Sequence, residues 1–100
     1  LSSAQFATVF SVIDPYRHDL RMLGEAIRDL REQRRLSADE LSAAVGLSTT
    51  QLAALERGRL DPELELIVAL ARELGVRPSE IFVRAEQLAA RDRAQEPGPQ

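Results

Sequence analysis

SADELSAAVGLSTTQLAALERG, residues 37–58, decides the fold. Ser37-Ala38-Asp39-Glu40 is a capping box: the Ser hydroxyl can accept from the backbone of Glu40, and Glu40 can reach back to the Ser37 N–H. A short helix carrying Leu41 and Val45 follows, and Gly46 ends it through positive φ. Ser48-Thr49-Thr50-Gln51 repeats the box eleven residues later. It opens a second helix with Leu52 and Leu55, closed by Gly58. Two short capped helices joined by Val45-Gly46-Leu47-Ser48 have the form of a helix-turn-helix, with Val45 and Leu47 packing under the turn. That unit presents the N-terminal residues of its second helix to a DNA major groove.

Working outward, Leu20, Leu23, Ile27 and Leu30 recur at helical spacing and predict a helix over about 19–34. Upstream, Phe6, Val9, Phe10 and Ile13 give one face of a further short helix. Asp14-Pro15 is read as its end, because the residue before proline avoids the helical region, and 14–18 as a link. Downstream, Asp61-Pro62 predicts a helix start, with Asp as cap and Pro in the first turn. Leu64, Ile67, Val68, Leu70, Ala71 and Leu74 form its apolar face up to Gly75. Pro78 opens a last helix with Ile81, Phe82, Ala85, Leu88 and Ala89. The reading is all-α, with six helical segments and no strand. It divides the chain into an N-terminal helix and link (1–18), a helix-turn-helix domain (19–93) and a disordered tail (94–100).

Composition agrees with one helical domain. Of 100 residues, 44% are hydrophobic and only 4% aromatic, so the core is built from Leu, Ile, Val and Ala. There is no cysteine, hence no disulfide and no thiolate metal site. No apolar run reaches the roughly 18 residues of a membrane span, and residues 1–13 lack the basic start of a signal peptide. The expected location is therefore the cytoplasm, at the nucleoid of a bacterium or phage host. All 13 basic residues are Arg, and the net charge is −3. The charge is unevenly spread. Residues 1–16 carry −1, residues 17–59 carry eight Arg against seven acids, and residues 60–100 carry five against eight. The acidic C-terminal part is expected to face away from DNA.

Residues 23–83 resemble the Xre-type, lambda-repressor-like helix-turn-helix family. The resemblance rests on Leu-Gly-Glu-Ala-Ile-Arg-Asp-Leu-Arg (23–31), Leu-Ser-Ala-Asp-Glu-Leu (36–41), Val-Gly-Leu-Ser (45–48), Leu-Glu-Arg-Gly (55–58), Asp-Pro (61–62) and Ala-Arg-Glu-Leu-Gly-Val (71–76). It implies a five-helix DNA-binding fold, here with an additional N-terminal helix and an extended last helix, usually acting as a dimer on a palindromic site. By the same resemblance Arg31 and Glu56 form a structural ion pair. Ser48 lies at the phosphate, and Thr49, Thr50 and Gln51 are base contacts. Arg57 and Arg59 are phosphate contacts, with Arg34 and Arg35 reaching the backbone from the other side. Three positions depart from the family pattern. Ala38 stands where Gln is common, Ala53 and Ala54 where polar or basic residues are common, and Arg35 where Gly is usual.

The partners expected are double-stranded DNA and a second copy of the chain, joined through the N-terminal or the last helix. An alternative is a protein-interaction module, an antitoxin or adaptor that uses the helix-turn-helix as a scaffold. A further reading, from Leu1 and the Pro-Gly-Pro tail, is a fragment of a longer regulator. No enzyme motif is present: there is no Gly-rich phosphate loop and no nucleophile beside a base. His18, the lone histidine, is expected in an exposed linker, and no metal or cofactor is expected.

Overall fold

The computed structural model describes residues 3–95, with side chains from His18 onward. Every regular element among them is a helix: α1 (Ser3–Gln33), α2 (Ala38–Ala44), α3 (Thr49–Glu56), α4 (Leu64–Leu74) and α5 (Pro78–Ala94). The expected break at Asp14-Pro15 is absent, because α1 runs through it. The two upstream segments are therefore one helix, and six expected segments become five. Proline's fixed φ near −65° is itself helical. What it removes is one backbone hydrogen bond, and the helical sequence on both sides outweighs that loss. The expectation that the Phe6–Ile13 face needs burial concerns side chains outside the described residues. So does the tail, beyond Gln95.

The core is aliphatic. Ile27, Leu41, Leu52, Leu70, Leu74 and Ile81, drawn from all five helices, are fully buried. Each contributes about 1.5–3 kcal/mol by leaving water. α1 and α5 lie antiparallel. Arg84 is bonded to Asp29 near one end, and at the other Arg21 stands 3.4 Å and His18 3.7 Å from Asp92. His18 is thus not in an exposed linker. It lies half-buried on α1 and receives the Arg21 guanidinium at 3.4 Å.

Four helices end in the same way. The N–H groups of Leu36, Leu47, Arg59 and Val76 bond back five residues, to Arg31, Ser42, Ala54 and Ala71. Such Schellman closures require a left-handed residue one position earlier. Gly46, Gly58 and Gly75 supply it at φ 71–75°, and Arg35 supplies it at φ 57°. At Gly46 no atom lies within 4 Å of where a Cβ would stand, so this glycine answers to backbone conformation alone. Arg35 holds the same conformation with a side chain, at a cost of about 1–2 kcal/mol.

The start of α4 differs from expectation. Asp61 does not cap it; the N-cap is Glu63, without a side-chain cap bond, and Leu64 is the first helical residue. Pro62 is buried instead, so the Asp-Pro pair serves packing ahead of the helix. Pro78 does open α5 in its first turn, with the Arg77 N–H donating to Glu80 Oε1 at 3.3 Å.

Candidate nucleic-acid interface

Both capping boxes form in full. Ser37 Oγ accepts from the Glu40 N–H at 3.0 Å, and Glu40 Oε1 accepts from the Ser37 N–H at 3.0 Å. Ser48 Oγ accepts from the Gln51 N–H at 3.0 Å, and Gln51 Oε1 from the Ser48 N–H at 2.9 Å. The bonds to Ser37 hold the Glu40 carboxyl below its ordinary value of 4.5, first through the Ser37 backbone and then through its hydroxyl. The matching Gln51 bonds are uncharged. They leave the N–H groups of Thr49 and Thr50 as the open donors of α3's first turn.

What aims α3 is a set of contacts with α1. Arg31 Nε donates to Glu56 Oε2 at 2.7 Å and its NH2 to Oε1 at 3.1 Å, a bidentate pair. Its NH1 also donates to the Leu36 carbonyl at 3.0 Å, tying the end of α1 to the same guanidinium. The side chains are 13% and 9% exposed, so the pair is largely shielded from water. The Glu56 hydrogen bond raises the Arg31 pKa further above the ordinary guanidinium range. The Arg side of the pair is therefore charged at every physiological pH.

Gly24 is the second contact, and sequence reasoning gave it no role. A Cβ there would stand 2.7 Å from the Glu56 carbonyl oxygen and closer still to that of Leu55. At Gly58 a Cβ would stand 2.5 Å from the Arg21 Cα. The ends of α3 and its following turn thus press on the α1 backbone at two points. A glycine inside a helical stripe was the available signal.

The residues expected at a DNA surface fall into two groups on this frame. Ser48, Thr49, Thr50 and Gln51 are all exposed on the first turn of α3. Arg57 and Arg59 are exposed at its other end, about 12 Å away at 1.5 Å per residue. Arg35 is exposed in the α1–α2 connection. Arg34 lies elsewhere: its guanidinium sits over Gly75, 2.8–2.9 Å from the Cβ position, at the C-terminus of α4. A cation there complements the negative end of that helix. Ala38 packs against the core, and Ala53 and Ala54 are half-buried. Their small size lets α2 and α3 sit close to the body.

Among the described residues no helix is long and apolar enough to cross a membrane. None of their acidic or histidine side chains cluster in a way that could hold a metal ion.

Comparison with known proteins locates the same unit. A helix-turn-helix family model matches residues 27–81. The chain is 34% identical over 73 residues to the immunity repressor protein of Bacillus phage phi105, covering 73% of this chain and 50% of that one. It is 39% identical over 54 residues to the HTH-type transcriptional regulator DdrOP3 of Deinococcus deserti, covering 54% and 42%. The chain thus spans half or less of these relatives. Among solved structures, the clp gene regulator ClgR from Corynebacterium glutamicum superposes with a TM-score of 0.75 at 30% identity, over 77% of this chain and 82% of that one. The restriction-modification controller protein C.AhdI from Aeromonas hydrophila gives 0.62 at 34%, over 64% and 97%. The family match runs from the Ile27 turn of α1 to Ile81 in the first turn of α5. It takes in both capped helices and the ion pair that aims the second, and the chain belongs to the HTH_3 helix-turn-helix family.

Proposed function

We propose that the protein is a sequence-specific DNA-binding transcriptional regulator that inserts α3 into the major groove, acting as a homodimer in the cytoplasm. The observation that carries this reading is the first turn of α3. Thr49, Thr50 and Gln51 are exposed together on a helix held by Arg31, Glu56 and Gly24. The open N–H groups and positive dipole end of that turn suit a phosphate. The two Thr side chains offer a hydroxyl and a methyl to base edges, the methyl favouring thymine. Arg57 and Arg59 are the phosphate contacts at the far end.

Gln51 is constrained by the box. Its Oε1 accepts from the Ser48 N–H with one lone pair and keeps the other. Its amide NH2 is free to donate to a base acceptor such as thymine O4 or guanine O6. Arg34, engaged at α4, is the weakest of the proposed phosphate contacts.

The test is a binding titration on genomic fragments at several salt concentrations. Thr50→Ala is expected to change which fragments are preferred. Arg57→Ala is expected to weaken all of them and to lower the salt slope by about one. Binding without sequence preference or salt dependence would reject the reading. A second reading, a scaffold for a protein partner, draws on one observation. Phe82 and Val83 are 42% and 50% exposed on α5, away from α3's first turn in the chain. A protein partner that co-purifies while no fragment shifts would favour it.

A further inference from the structure

Gly58 sits between Arg57 and Arg59, and it rests against Arg21 of α1. A Cβ on Gly58 would stand 2.5 Å from the Arg21 Cα, 2.7 Å from its N and 3.1 Å from its Cβ. Consecutive Cα atoms are about 3.8 Å apart, so those of Arg57 and Arg59 lie no more than about 8 Å from that of Arg21. Two distant stretches of chain thus bring three Arg residues to one spot, and all three are exposed. Arg21 stands ahead of residues 27–81, the stretch that the family model covers.

The Arg21 side chain is loosely held. Its Nη2 is 3.4 Å from Asp92 Oδ2 and 3.4 Å from His18 Nδ1. Charge-assisted bonds are ordinarily shorter, about 2.7–2.9 Å. Two other guanidinium groups of α1 keep to that range: Arg28 Nε is 2.9 Å from Glu32 Oε1, and Arg31 Nε is 2.7 Å from Glu56 Oε2. The Arg21 and Asp92 side chains are 54% and 41% exposed, so water competes for both. Exposed pairs of this kind hold weakly. A phosphate offers the same guanidinium two parallel bonds. The Arg21 backbone is thus fixed beside the phosphate contacts, while its side chain rests on a carboxylate that it can leave.

We propose that Arg21 is a third phosphate contact beside Arg57 and Arg59, and that Asp92 near the end of α5 competes with DNA for it. This rests on the DNA-binding reading above and adds one contact and one restraint to it. In the free protein the guanidinium lies on Asp92. On the DNA backbone it turns to a phosphate oxygen, and the Asp92 carboxylate returns to water beside His18. The contact given up with Asp92 subtracts from affinity, so the last turns of α5 set how tightly DNA is held. The effect is the same at every site, because phosphate contacts carry no sequence information.

The experiment titrates the full chain against its preferred genomic fragment and a scrambled duplex over a series of salt concentrations, with a thermal melt for each variant. Arg21→Ala is expected to weaken binding to both duplexes several-fold and to lower the salt slope by about one. Arg21→Lys, which keeps the charge, is expected to keep the slope. Asp92→Asn is expected to tighten binding several-fold, and that gain is expected to vanish in the double variant Arg21→Ala, Asp92→Asn. Wild-type affinity and slope in Arg21→Ala overturn the contact, and the DNA-binding reading then stands if Arg57→Ala still lowers both. An equal loss of slope in Arg21→Ala and Arg21→Lys also overturns it, since the charge is then not what acts. A gain from Asp92→Asn that persists in full without Arg21 overturns the competition. A wild type that binds neither duplex overturns the DNA-binding reading and this inference with it.

Discussion

The α2–α3 unit and the α1–α5 pair are held by bonds of opposite reach. Within α2–α3 the polar contacts are local: each capping-box bond spans three residues, and each closing turn spans five. Between α1 and α5 they span 55 residues for Asp29 and Arg84 and 71 for Arg21 and Asp92. The local unit is specified by residues within a few positions of one another. The long-range pair is specified by which helices the core brings side by side. Arg31–Glu56 joins the two regimes, spanning 25 residues to fix a locally made helix to a distant one.

The contrast can be broken most forcefully at that joint. Glu56→Ala leaves a largely buried guanidinium unpaired and is expected to cost about 3–5 kcal/mol in a denaturant titration. Glu56→Gln, which keeps an acceptor, should cost less. A loss under 1 kcal/mol for the Ala variant would mean the pair does not anchor α3. Next is Gly24→Ala. The added methyl meets the backbone carbonyls of Leu55 and Glu56, which cannot swing aside as a side chain could. Overpacking of this kind costs about 1–3 kcal/mol. DNA affinity is expected to fall as well, because α3 is displaced. An unchanged stability would show that α1 and α3 can separate freely.

Arg35→Gly tests the local side and has the opposite sign. Removing the side chain from a φ of 57° should stabilise the protein by about 1 kcal/mol, read as a higher melting temperature. A lower one would mean the Arg35 side chain makes a contact that outweighs its strain. Arg84→Ala tests the long-range side at its weakest link. Both partners are about a third exposed, at 32% and 36%, so solvent screens the pair and the loss should be at most about 1 kcal/mol.

The smallest effect belongs to Glu40. Its carboxyl is held below the ordinary 4.5 in the folded state, so its stabilisation is complete above that pH. It fades as pH falls through the lower folded value. Glu40→Gln should flatten the acid limb of the stability profile slightly below pH 4.5. A profile identical to that of the wild type would show that the Ser37 bonds do not persist in solution.

Legibility in the sequence followed the same division. Both capping boxes, the turn at Gly46, the stop at Gly75 and the opening at Pro78 could be read directly, since each depends on residues within one or two turns. Arg31 and Glu56 were reached only through resemblance, as no spacing rule pairs residues 25 apart. Asp61-Pro62 misled because Pro62 is buried in the packing ahead of α4, which begins at Leu64. Asp14-Pro15 misled because proline's φ is itself helical, and the helical sequence on both sides carries α1 through it. Gly24 was visible as a glycine in a helix, but the carbonyls it makes room for belong to α3.

The amino-acid order by itself therefore determined an all-helical chain and a helix-turn-helix with its caps, turn and exposed first turn. These follow from hydrogen bonds and φ angles within about five residues. Tertiary structure alone decided that Arg34 serves the end of α4 and that Gly24 makes room for the carbonyls of Leu55 and Glu56. It also decided that Phe82 stands on a groove between α1, α4 and α5. Each of these depends on which backbone arrives from a distant part of the chain, and a residue's own neighbours in sequence carry no record of that.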